Sequence, residues 1–139
     1  MTTWWIYALL AAFFAALTTI FAKIGVENVN SDLATAIRTI VILAVAWGIV
    51  FARGEASSLS AISNKALIFL SLSGIATGLS WIFYFEALKE GKASYVAPID
   101  KSSLVMILFL SAAFLGEPLQ WKSILGTFLI VGGTLVLIL

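Results

Sequence analysis

Three charged residues stand inside otherwise apolar stretches of this sequence: Arg38, Asp100 and Lys101. A charged side chain at the centre of a bilayer costs roughly 2.5–3.5 kcal/mol on insertion scales, so such residues usually face the protein interior. There they pair with one another or line a path for ions and solutes. A guanidinium, a carboxylate and an ammonium could therefore form an ion pair, bind a polar solute, or do both.

The composition indicates that lipid is the solvent of this chain. Of the 139 residues, 62% are hydrophobic and 11% are charged, whereas a soluble domain carries about 25% charged residues. The 8 basic and 7 acidic residues nearly balance, so no basic surface for nucleic acid is predicted. The sequence has no histidine and no cysteine. It therefore predicts no metal site and no cofactor, and we do not expect an enzyme.

The hydrophobic pattern predicts an all-α polytopic membrane protein, with five transmembrane helices in a single domain over residues 1–139. About 20 apolar residues are needed to cross the hydrocarbon. Two of the spans reach that length only if one includes Arg38 and the other includes Asp100 and Lys101. The helices are predicted near residues 4–23, 33–52, 66–88, 94–115 and 121–139. The connections are short, which favours packed antiparallel neighbours.

The depth of the three charges within their helices predicts which of them meet. Helices 2 and 4 start from the same face of the membrane. At a rise of 1.5 Å per residue, Arg38 lies about 7–8 Å from the start of its helix and Asp100 about 9 Å from the start of its own. The matching depth predicts that Arg38 pairs with Asp100. Together with Lys101, this cluster keeps a surplus of one positive charge unless a substrate or another acid balances it.

A structural reading of the same residues is also open. Proline is comfortable in the first turn of a helix, so helix 4 could begin near Pro98. Asp100 would then be a first-turn carboxylate that interacts with the helix dipole, and Lys101 could extend to the headgroups. An ion pair that only locks two helices together is a further alternative.

Helix 3 carries polar and aromatic residues at helical spacing. Thr77, Ser80, Trp81 and Tyr84 recur three and four positions apart and are predicted to share one face. That face could border a cavity. Alternatively, the hydroxyl groups bond back to their own helix and the aromatic rings pack against neighbours.

Glycines in two helices are candidates for helix packing. Gly74 and Gly78 form a small-xxx-small pair in helix 3, and Gly126 and Gly133 lie one heptad apart in helix 5. Small residues at these spacings permit the close approach of another membrane helix.

Two longer segments resemble a known family. "FYFEALKEGKASYVAPIDKSS" and "FLGEPLQWKSILGTFLIVGGTLVLI" are similar to the EamA-type repeat of the drug/metabolite transporter superfamily. In that repeat an aromatic-rich "ALxxG" segment ends the third helix, an "AS" pair leads into a fourth helix with proline, and "LGE" precedes a glycine-bearing last helix. "ATAIRT" and "PIDK" resemble the short, single-repeat members.

The resemblance implies a five-helix unit that normally occurs twice per chain, in opposite orientations, around a central substrate path. It implies an integral multi-pass protein of the plasma or inner membrane of a prokaryote, working as a dimer of this chain or with a relative. A homodimer is expected, and its antiparallel and parallel arrangements are both open. We expect a transporter subunit that moves a small metabolite or drug-like solute by alternating access.

The residues expected to bind the solute or gate its path are Arg38, Asp100, Lys101, Trp81, Tyr84, Thr77 and Ser80. The alternative is a non-transporting membrane scaffold or assembly factor, in which the charges only fix helix packing.

The distribution of basic residues predicts how the chain inserts. Lys and Arg in short loops normally decide orientation. One face carries Arg53, Lys65 and Lys122, and the other carries Lys23, Lys89 and Lys92. Because neither face is favoured, we expect both orientations, each in about half of the molecules.

Single-cysteine variants can test this expectation directly, because the chain has no cysteine of its own. In sealed cells, a membrane-impermeant thiol reagent should label Asn28→Cys and Ser57→Cys each to about half, since the two positions lie on opposite faces. Complete labelling of one variant with none of the other would establish a single orientation and contradict the expectation.

Overall fold

The computed structural model describes residues 3–139 and places them almost entirely in helices. The elements are α1 (Trp4–Val26), α2 (Ser31–Ala52), a 3₁₀ helix (Glu55–Ala61), α3 (Asn64–Glu90), α4 (Ala93–Asp100), α5 (Ser103–Leu110), a π-helical turn (Ser111–Leu115) and α6 (Trp121–Ile138). Five spans are long and apolar enough to cross a membrane, the fourth being Ala93–Leu115. The predicted all-α fold with five transmembrane helices is confirmed.

The start of α2 is fixed by a side-chain cap. The carboxamide oxygen of Asn30 accepts a hydrogen bond from the backbone N–H of Asp32 at 2.8 Å. Asp32 lies in the first turn, where a carboxylate interacts favourably with the helix dipole. This cap starts the helix at Ser31, two residues before the predicted position.

The fourth span is interrupted in its middle. α4 begins at Ala93 and contains Pro98, so the alternative that this helix begins near Pro98 is wrong. Proline lacks an N–H and crowds the carbonyl of the preceding turn. After Pro98 the backbone hydrogen bonds span three residues instead of four. Lys101 N–H donates to the Pro98 carbonyl (3.0 Å), and Ser102 N–H donates to the Ile99 carbonyl (2.9 Å). The break therefore falls at Lys101 and Ser102.

The chain divides into two compact units, which we describe separately. The central unit is Phe21–Lys89, and the terminal unit combines Glu90–Leu139 with the chain up to Ile20.

Burial in the central unit is concentrated where α1 ends, α2 begins and α3 ends. Val26, Phe85 and Leu88 are 1%, 3% and 0% exposed, and Ser31 and Thr35 are buried with them. Burying a large apolar side chain contributes about 1.5–3 kcal/mol, so these contacts fasten the three helix ends to one another. Most of the remaining α2 side chains are exposed, as expected for a surface that meets lipid or another chain.

The terminal unit is held by α6 packing on α4 and α5. Val96 of α4 and Thr134 of α6 are buried. The Thr134 hydroxyl lies 2.9 Å from the carbonyl of Ile130 in its own helix and 3.3 Å from that of Pro98. It therefore links α6 to the backbone just before the break.

The link from Thr134 generates a prediction about stability. Thr134→Val keeps the shape of the side chain but removes the hydroxyl, so it should lower the free energy of unfolding in detergent by about 0.5–1.5 kcal/mol. Thr18→Val is the matched control, because the exposed Thr18 hydroxyl donates only to the Phe14 carbonyl of its own helix. If both variants destabilise equally, the contact with Pro98 contributes nothing.

Candidate functional site

A cation stacked on an aromatic ring joins α2 to α3 in the central unit. The guanidinium carbon of Arg38 lies 3.4 Å from the centroid of the Trp81 ring and 5.9 Å from that of Phe85. At 3.4 Å two planar groups fit in van der Waals contact only when they are nearly parallel. The stack occupies one π face of the guanidinium and leaves its N–H donors directed outwards in the plane.

Two further rings hold Trp81 in place. Its centroid lies 5.2 Å from that of Tyr84 and 5.4 Å from that of Phe85, with interplanar angles of 76° and 66°. These are edge-to-face arrangements, which aromatic pairs prefer. The structure thus brings together Arg38, Trp81 and Tyr84 from the predicted site. It adds Phe85, whose signal in the sequence was its spacing of four from Trp81.

Placing the charge of Arg38 at its depth in the span costs free energy. It lies seven residues beyond Ser31, or about 10 Å along the helix. Insertion of arginine at the centre of a span costs roughly 2.5–3.5 kcal/mol, whereas a cation–π contact returns about 0.5–2 kcal/mol. The Trp81 ring offsets only part of that cost, so the outward N–H groups require a further polar partner.

Polar contacts also fasten the helix ends of the central unit. The Ser31 hydroxyl donates a hydrogen bond to the Glu86 carboxylate, and the Lys23 ammonium donates to the backbone carbonyl of Leu88. The Glu86 carboxylate also lies 4.0 Å from the Lys89 ammonium. Glu86 therefore has local partners near the end of its span.

The break in the fourth span carries the other two predicted charges. The Lys101 ammonium lies 3.4 Å from the Asp100 carboxylate, and both side chains are partly exposed. Lys101 also lines an open groove of about 540 Å³ between α4 and α6, together with Gly133 and Thr134. Asp100 belongs to the terminal unit and Arg38 to the central unit, and the pairing of these two residues stays a prediction.

Thr77 and Ser80 of α3 lie N-terminal to the buried end of this helix, which holds Phe85 and Leu88. Thr77 is exposed and donates to the Ser73 carbonyl of its own helix at 2.8 Å, as the alternative reading of this face expects. Ser80 is also exposed. A role for Thr77 and Ser80 in a solute path stays a prediction.

The four glycines proposed for helix packing have free space beside their Cα atoms within their own units. A Cβ atom at Gly74 or Gly78 would meet no atom of the central unit within 4 Å, and the same holds for Gly126 and Gly133 in the terminal unit. Their use in helix packing stays a prediction.

Within residues 3–139, no group of three or more His, Cys, Asp or Glu side chains is placed to hold a metal ion. The guanidinium of Arg38 at the stack on Trp81 offers a positive charge and hydrogen-bond donors for recognition of a ligand.

Comparisons with known proteins show the family of this chain. The model of the EamA-like transporter family matches residues 2–139. A Sinorhizobium protein named "Uncharacterized transporter in cobO 3'region" is 51% identical over 135 residues, which cover 97% of this chain and 96% of that relative. No solved structure matches this chain.

The stack between α2 and α3 can be measured with a double-mutant cycle. Arg38→Met and Trp81→Leu each remove one partner, and their effects on unfolding in detergent should be coupled by about 0.5–2 kcal/mol. The control replaces Trp47, whose ring lies 5.6 Å from that of Phe51. Trp47→Leu should be additive with Arg38→Met to within about 0.5 kcal/mol. Additivity of Arg38→Met with Trp81→Leu would contradict the stacking.

Proposed function

Because this chain belongs to the EamA-like transporter family, we propose that it moves a small metabolite or drug-like solute across the bilayer by alternating access. It does so as one subunit of a dimer and has no catalytic role. It is an integral multi-pass membrane protein with five candidate spans. The bacterial source of its relative supports an inner-membrane location.

The observation that carries the proposal is the stack of Arg38 on Trp81 inside the second and third spans. Charges placed this deep generally mark substrate and ion pathways, because a helix that only packs against lipid gains nothing from them. The contact holds the guanidinium in place and leaves its donors available. These are the properties that a binding group in a transport path needs.

We assign the remaining predicted residues to the same path. Arg38 and Asp100 form a polar gate or substrate site, as their matching depth from one face supports. Lys101 adds a positive field beside Asp100, from which it is 3.4 Å distant. Trp81 and Tyr84 form an aromatic wall, to which Thr77 and Ser80 add hydroxyl groups.

A second subunit would complete the path. Gly126 and Gly133 leave room on α6, and Gly74 and Gly78 on α3, for a neighbouring helix to approach closely. The even distribution of Lys and Arg between the two faces supports a homodimer whose subunits are antiparallel.

A screen for stabilising solutes tests the transport proposal without a known substrate. A solute that binds the folded protein raises its unfolding temperature by mass action, and its flux can then be followed in proteoliposomes. We expect at least one metabolite to stabilise the protein and to cross the vesicle membrane only when the protein is present. Neither stabilisation nor flux across a broad library would favour the scaffold alternative.

The proposed gate is tested by removing its charges. Asp100→Asn and Arg38→Gln should each reduce the unfolding temperature and should lower flux by about tenfold or more, since a hydrogen bond to a charged group contributes about 1.5–3 kcal/mol. The double variant should regain stability but not flux. Full recovery of flux in the double variant would reduce the pair to helix packing, and additive losses of stability would show that the two residues are not partners.

A further inference from the structure

The charges inside the spans do not balance locally. Four charged residues lie more than one helical turn from the end of a span, namely Arg38, Glu86, Asp100 and Lys101. Glu86 is engaged by Ser31 and lies 4.0 Å from Lys89. Asp100 lies 3.4 Å from Lys101. Glu86 and Asp100 each have a local cation, whereas Arg38 has no carboxylate within 4.0 Å in the central unit. If Asp100 pairs with Arg38 in the proposed gate, the set of Arg38, Asp100 and Lys101 still keeps a surplus of one positive charge.

The geometry at Arg38 is suited to an anion with two oxygens that accept parallel hydrogen bonds. Its stack on Trp81 covers a π face and fixes the plane of the guanidinium. The N–H donors in that plane form a fork that matches a carboxylate or a phosphate through two parallel hydrogen bonds. A neutral group can accept from one donor, but it leaves the positive charge without a counterion in a region where solvation by water is poor.

We propose that the transported solute is an anion, and that the in-plane donors of Arg38 bind its carboxylate or phosphate group. This inference rests on the proposed transport function and specifies its substrate class. The bound anion supplies the negative charge that the central unit lacks at Arg38. Trp81 holds the guanidinium in the orientation required for binding, with Tyr84 and Phe85 fixing the indole ring.

Charge selectivity can be measured with probes that share one carbon skeleton. The first set is benzoate, benzamide and benzylamine, and the second is succinate, succinamide and 1,4-diaminobutane. Each probe is titrated against purified protein in maltoside detergent, with the unfolding temperature as readout. We expect saturable stabilisation by a carboxylate of at least one set and none by its amide or amine, followed by protein-dependent flux of that carboxylate in proteoliposomes.

Matched variants connect this selectivity to Arg38. The chain has two arginines. Arg38 lies within α2, and Arg53 is the C-terminal cap residue of the same helix. Arg38→Gln should weaken carboxylate binding by about 10- to 100-fold, while Arg53→Gln, which removes the same charge outside the span, should leave it unchanged. Arg38→Lys keeps the charge but loses the fork, and it should bind more weakly than the wild type. This variant decides the role of the fork if Arg38→Gln does not fold.

The phosphate group of a membrane lipid is the other anion that Arg38 could bind through the same hydrogen bonds. A further titration distinguishes a bound lipid from a transported solute. If phosphatidylglycerol gives the Arg38-dependent stabilisation while no carboxylate does, the residue binds lipid and the inference is overturned. Stabilisation and flux of amines or amides alone overturn the anion assignment but leave the transport proposal intact. If none of the six probes binds or crosses the membrane, the anion assignment fails. The transport proposal fails with it only if the broad library also gives neither stabilisation nor flux.

Discussion

The charge of Arg38 has to be accommodated about 10 Å inside a membrane span, where water is scarce and the backbone carbonyls are already used by the helix. The Trp81 ring of α3 offsets part of the cost of placing this charge in the span, because its centroid lies 3.4 Å from the guanidinium carbon. The hydrogen bond from Ser31 of α2 to Glu86 of α3 joins the two helices near their buried ends and so helps to maintain the stack. We propose that an anionic solute, bound by the remaining donors of Arg38, connects this structure to transport.

Much of the fold follows from the sequence because a bilayer allows few solutions. Apolar runs of sufficient length have to be helical, and the five predicted spans and the resemblance to the EamA repeat are both confirmed. The break at Lys101 and Ser102 did not follow from the sequence. Pro98 signals an irregularity, but it does not tell on which side the backbone changes. Tertiary contacts, such as the Thr134 hydroxyl at 3.3 Å from the Pro98 carbonyl, cannot be read from the sequence.

The site was less predictable because depth and direction are separate properties of a helical residue. Distance from the helix end placed Arg38 level with Asp100, but it carried no information on the neighbour that Arg38 faces. The structure shows Trp81 as that neighbour. An available signal was that Trp81 lies nine residues before the end of α3, about 13 Å in, close to the depth of Arg38 in the antiparallel α2.

The central claim is that the Arg38–Trp81 pair borders a solute path. The most direct test is whether water reaches the side chains beside the stack. Cysteine can be placed at Tyr84, which contacts Trp81, and at the neighbouring Phe83, which is 72% exposed on the outer surface of α3. Both variants are reconstituted in vesicles and treated with a small, water-soluble thiol reagent. The account predicts rapid labelling at position 84 and little at position 83, where lipid excludes the reagent. Labelling at neither position, or faster labelling at position 83, would contradict it.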